Sequence, residues 1–194
     1  MSSRGFTPET SLTKHVPCSA TGRAVFGFTL IELLVVVAIV AVLAAIAIPL
    51  AVAGIARADS AKCLGNLRAI GAGLNGWLAD NNMVMPPLAA GRKSRDENVP
   101  VIDTVLAPYL PDPRVFACPE DKSLAAATGT SYYWNSVLSG QSAVNLNFLS
   151  LATDLSKIPV VVDKEGWHYH SEDKVNHLFA DGHAANQLRL FTDP

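Results

Sequence analysis

Asp163, His168, His170, Glu172, Asp173, His177, Asp181 and His183 crowd into 21 residues near the end of the chain. The carboxylates of Asp163, Glu172, Asp173 and Asp181 are hard oxygen donors. They could supply part of the shell of about six to eight oxygens that calcium takes. The histidines suit zinc or another transition metal instead, but neither a His-x-x-x-His nor a Cys-x-x-Cys spacing occurs. A purely structural use competes with both. Asp181-Gly182 has turn chemistry, Asp163 could accept backbone or His170 hydrogen bonds, and His177 and His183 would flank the turn as exposed side chains. A further group stands far from these. Glu32 is the one charge in an apolar run from Phe28 to Ile48. A carboxylate in hydrocarbon is costly, which makes it a functional candidate, unless its place near the end of the run lets it snorkel to the interface. Of three cysteines, Cys18 precedes this run, and Cys63 and Cys118 follow it. The latter two could pair, or Cys63 could serve as a small apolar residue on a helix.

These groups must be carried by elements that the hydrophobic pattern predicts. Phe28 to Ile48 is 21 residues, about 31 Å of helix at about 1.5 Å per residue, enough to cross a hydrocarbon core. Beyond Pro49, Ile55, Cys63, Leu67, Ile70, Leu74, Trp77 and Leu78 recur at helical spacing, with Arg57, Asp59, Lys62, Asn66, Arg68 and Asn75 on the other faces. That is an amphipathic helix with its stripe turned to a core. Pro49 should kink the helix rather than end it, because both sides are helical in pattern. One helix in two halves is therefore expected from Phe28 to about Asp80, stopped by Asp80-Asn81-Asn82 and Pro86-Pro87. Residues 89–100 are loop-like, and Val101 to Ala107 form a short helix. Strands are expected at Ser131–Asn135, Pro159–Asp163, Val175–Ala180 and Ala184–Leu190. Asp181-Gly182 would join the last two in a type I′ hairpin. The fold class is α+β: a long kinked N-terminal helix packed on a small antiparallel sheet.

Gly27-Phe28-Thr29-Leu30-Ile31-Glu32 ahead of an unbroken apolar run resembles the processing site of type IV prepilins and type II secretion pseudopilins. The resemblance implies that a prepilin peptidase cuts after Gly27 and methylates the new N-terminal Phe28. It implies that Glu32 serves in assembly, that Pro49 bends the helix, and that the fold is pilin-like. Residues 1–27 would be the cleaved leader, 28–49 the transmembrane and filament-core helix, and 50–194 a periplasmic globular domain with the amphipathic half-helix. The partners implied are the peptidase, other pilin or pseudopilin subunits and the inner membrane. The subunit would span that membrane once, N-terminus cytoplasmic, and be extracted into a filament. Three more patches, 61–70, 116–119 and 177–183, resemble a pseudopilin-like subfamily numerous in planctomycete and verrucomicrobial bacteria, with a His ahead of a C-terminal Asp-Gly. Ten residues separate His170 from Asp181 here, one more than that pattern has. Major pseudopilins carry calcium in a C-terminal loop, so the resemblance also points at Asp163, Glu172, Asp173 and Asp181. The cysteine pair that closes a C-terminal loop in many pilins is missing, which favours a pseudopilin.

Other classes find less support. The chain of 194 residues carries a net charge of −2 and no basic stripe, which argues against nucleic acid as a partner. No Gly-x-Ser-x-Gly elbow, phosphate loop or dinucleotide fingerprint is present, so no enzyme is expected. The alternative is a singly anchored or secreted extracytoplasmic binding module with an ordinary signal sequence cut near Ala45-Ile46-Ala47. Flanking charges do not decide orientation, since Lys14 and Arg23 precede the run and Arg57 and Lys62 follow it.

Overall fold

The computed structural model describes residues 27–169 and 173–188. The first element, α1, spans Leu30–Asp80 with Pro49 inside it. Pro49 has no N–H for the carbonyl of Ala45, yet helical backbone runs through it on both sides. The chain divides into two compact units between Leu43 and Ala44.

In the second unit the apolar stripe does what its spacing predicts. Cys63, Leu67, Ile70, Leu74 and Leu78 are buried, and Trp77 packs partly buried beside them. Ile55 is a correction to that stripe. It is 63% exposed, because the covered part of the helix begins only near Cys63. Two glycines let other chain approach α1 closely. A Cβ on Gly71 would lie 3.1 Å from Leu178 Cδ1, and one on Gly73 would lie 2.9 Å from Leu110 Cγ. The helix ends as Asn82 and Met83 turn left-handed, with the Met83 amide donating to the carbonyl of Leu78.

Short elements follow. Helix α2 is one turn, Ile102–Val105, continued by a 3-10 turn at Ala107–Tyr109. Helix α3 covers Leu124–Thr128, and Asp121 caps its start by accepting the amides of Ser123, Leu124 and Ala125. Strands β1 (Tyr132–Trp134), β2 (Pro159–Asp163), β3 (His177–Phe179) and β4 (Ala184–Ala185) form one four-stranded antiparallel sheet in sequence order. Tyr132 faces Asp163 across β1 and β2, and Val162 faces His177 across β2 and β3. A single core joins the buried face of α1 to Tyr132, Trp134, Val160, Val161 and Leu178. The molecule is thus α+β, a long helix with a small antiparallel sheet.

The Asp-Gly hairpin exists, but its turn is not type I′. Phe179 pairs with His183 through an amide-to-carbonyl bond of 2.9 Å, leaving Ala180, Asp181 and Gly182 as a three-residue loop. Within that loop only Gly182 has positive φ, at 90°. The extra residue lets a tighter right-handed turn precede the glycine.

Candidate functional site

Two groups of residues carry chemistry, and the first is at the start of α1. Gly27, Phe28 and Thr29 precede the helix and are exposed. The Thr29 hydroxyl accepts the Glu32 amide at 3.2 Å. In return, one Glu32 carboxylate oxygen accepts the Thr29 amide at 3.0 Å and the Thr29 hydroxyl at 2.7 Å. This is a reciprocal capping box, which satisfies helix donors that have no partner within the helix. The Thr-x-x-Glu signature ahead of an apolar run is visible in the sequence, yet the reading of Glu32 as a lone intramembrane charge passed over it. Downstream, every large apolar side chain from Phe28 to Ile55 is at least 49% exposed. Among the described residues nothing covers them, which leaves them free to meet lipid or other chains. Helix α1 is long and apolar enough to cross a bilayer.

The second group lies inside the globular unit, where β1, β2, the Cys118 segment and α1 meet. Cys63 comes from the buried stripe of α1. Cys118 follows the 3-10 turn Pro113–Phe116, and its amide donates to Ser131 Oγ at 2.8 Å. Asp163 ends β2, and His168 lies in the loop beyond, where its amide donates to the Lys174 carbonyl at 3.2 Å. Cys63 Sγ lies 3.3 Å from Asp163 Oδ1 and 3.4 Å from the Tyr132 hydroxyl. Cys118 Sγ is 3.7 Å from His168 Nε2, which is 3.2 Å from Asp163 Oδ2. The Asn176 amide donates to Asp163 Oδ2 at 2.7 Å.

The electrostatics follow from this crowding. The hydrogen bond to Cys118, burial and the Asp163 charge all push the Cys63 thiol up. Cys118 is lowered, chiefly by the Cys63 hydrogen bond and then by His168, against the effect of burial. Burial works to lower His168, but its contacts with Asp163 and Cys118 outweigh this and raise it to about 10. Tyr132 is pushed up mainly by burial.

The carboxylates named for calcium are placed as follows. Asp163 is buried beside the two cysteines and His168. Asp173 is exposed and accepts the Leu188 amide. Asp181 sits in the hairpin loop and holds the His183 ring and amide. Glu172 and His170 lie outside the described residues. Among the described residues, the side chains gathered closely enough to share an ion are Cys63, Cys118 and His168. Their sequence separations of 55 and 50 residues hid them from any local-spacing test. His177, expected at the surface, is 7% exposed, because β3 lies between β2 and β4. His183 is exposed as expected, stacked on Phe179 at 4.3 Å between ring centres.

Residues 22–48 match the family model described as the prokaryotic N-terminal methylation motif. No curated protein matches the chain, and no solved structure does. The match covers the capping box, the Gly27–Phe28 bond and most of the uncovered apolar run, so this segment is similar to a prokaryotic N-terminal methylation motif.

Proposed function

We propose, from this pilin-like precursor segment, that the protein is a structural subunit of a type II secretion pseudopilus or a related filament. The observation that carries this is the uncovered apolar half of α1, led by Gly27-Phe28 and a single carboxylate at Glu32. The peptidase would cut after Gly27 and methylate Phe28. Subunits would then wait in the inner membrane with the N-terminus cytoplasmic and the globular domain periplasmic. Extraction into the filament replaces lipid around the apolar side chains with those of sister helices.

Glu32 supplies specificity. In the filament its carboxylate pairs with the new ammonium on Phe28 of a neighbour. Two opposite charges offset part of each other's desolvation, and a neighbour out of register leaves both unpaired. Glu32 therefore sets register more than it adds stability. Pro49 adds a bend point, since it lacks one helix donor.

N-terminal sequencing and mass spectrometry of the mature membrane form test the proposal. A start at N-methylated Phe28 is expected. A start near Ile48 would overturn it in favour of a secreted binding module with an ordinary signal.

A further inference from the structure

We propose that Cys63, Cys118 and His168 are gathered as a buried site for a zinc-class divalent metal, with the adjoining Asp163 closing in as the fourth, tetrahedral ligand, and that the ion ties α1 to the sheet. The two Sγ atoms and a His168 ring nitrogen lie within 4.8 Å of one another. Asp163 turns one carboxylate oxygen to Cys63 at 3.3 Å and the other to His168 Nε2 at 3.2 Å. A tetrahedron with metal–sulfur bonds of about 2.3 Å and metal–nitrogen or –oxygen bonds of about 2.0–2.2 Å has edges of roughly 3.3–3.8 Å. The Cys118–His168 separation of 3.7 Å and the 3.3 Å between Cys63 Sγ and Asp163 Oδ1 already fall at or close to that range.

Burial and donor type narrow the ligand further. Cys63, Cys118, His168 and Asp163 are each at most 3% exposed. Two sulfurs and an imidazole select zinc or a similar transition metal over calcium or magnesium, which take oxygens. Binding would release the protons of both thiols, giving two thiolates and a carboxylate around a dication. The Tyr132 hydroxyl, 3.4 Å from Cys63 Sγ, is placed to donate to the thiolate.

The surrounding groups suit a metal better than a disulfide. His168 Nδ1 is buried without a hydrogen-bond partner, and Glu120 Oε1 lies 3.4 Å away at ion-pair range. A carboxylate behind the free nitrogen of a ligating histidine is the usual outer support of a metal site. Asp163 can ligate through Oδ1 and keep the Asn176 amide on Oδ2. A Cys63–Cys118 disulfide would instead remove the S–H that faces Asp163 Oδ1, leaving that buried oxygen without its sulfur donor. Access exists, since His168 and Glu120 line a surface groove with Ala61 and Leu64.

The ligands are 55, 45 and 5 residues apart along the chain. One ion would therefore close two long loops and fasten the filament helix to its domain, with binding energy acting as folding energy. This inference does not depend on the N-terminus being processed.

The test uses the full chain in detergent, reduced and free of chelator, titrated with Co²⁺ and then Zn²⁺. Saturable thiolate-to-cobalt charge transfer with tetrahedral visible bands, displaced by zinc, is expected at one ion per chain. Cys118→Ser and His168→Gln should abolish the bands, and Glu120→Gln should weaken binding about 10- to 100-fold. The wild-type titration stands even if a variant fails to fold. Absence of the bands in reduced wild type would overturn the proposal. So would unchanged bands in folded Cys118→Ser, or a Cys63–Cys118 disulfide in protein alkylated within membranes before reduction.

Discussion

Glu32 has two jobs in this reading, and three substitutions separate them. Within one subunit its carboxylate closes the capping box with Thr29. Between subunits it would pair with the Phe28 ammonium. Glu32→Gln keeps the box, because glutamine serves at that position, but removes the charge. Thr29→Val removes the box and keeps the charge. Glu32→Ala removes both. Loss of a capping residue weakens the first helical turn roughly two- to thirtyfold. Leaving one member of a buried ion pair alone weakens association by roughly two to three and a half orders of magnitude. Charge loss therefore dominates. Expression with the peptidase, followed by shearing or crosslinking and counting of filaments, should give near-normal assembly for Thr29→Val and severe loss for both Glu32 variants. Processing at Phe28 should stay intact in all three, as mass spectrometry would show. Normal filaments from Glu32→Gln would refute the charge pairing and leave Glu32 as a helix cap.

Other consequences can be measured separately. Gly27→Leu should block cleavage, so the membrane form keeps its full leader by mass; recovery of an exposed Phe28 would contradict this. Leu67→Ala empties a fully buried position on α1 and should cost about 2–5 kcal/mol in denaturant unfolding. Gly73→Ala sets a methyl 2.9 Å from Leu110 Cγ; overpacking of about 1–3 kcal/mol should exceed the helix-propensity gain of about 0.5–1 kcal/mol, so Tm falls. Burial of Asp121 works to raise its pKa, but the Ser131 hydroxyl and three amides outweigh this and hold it below the ordinary value. Its contribution is therefore full above the unfolded aspartate pKa of about 3.9 and is lost as pH falls from there through the lower folded value. Asp121→Asn should flatten that part of the acid unfolding curve, and an unchanged acid limb would count against the capping role.

Much of the framework was legible because it rests on periodicity. Strand β2 has the expected bounds, since an apolar run beginning with proline and ending with Asp163 has few other conformations in a core. The long helix and its terminus were equally readable from the Leu67, Ile70 and Leu74 spacing and the Asn81-Asn82 stop. What periodicity cannot convey is where cover ends, so Ile55 was counted with the stripe that begins near Cys63. Nor does a strand's own sequence say which neighbours it has, and His177 is buried because β2 and β4 flank it. The cysteine–histidine cluster depended on bringing α1, the Cys118 segment and the end of β2 together. Only the Cys63 and Cys118 patches hinted at it, and nothing local tied them to His168.

The capping box also fixes where the helix begins. Phe28 stays outside it, one residue before Thr29, so the Gly27–Phe28 bond lies in non-helical backbone. The dipole of α1 is positive at that end. The proposed cleavage there would create an ammonium facing the positive pole of its own helix, a placement the helix disfavours. A freshly cut subunit would thus carry an electrostatic strain that its own Glu32, engaged by Thr29, only partly relieves. In the proposed filament a neighbour's carboxylate would remove it, so polymerisation would act as the counterion for a charge that maturation itself creates.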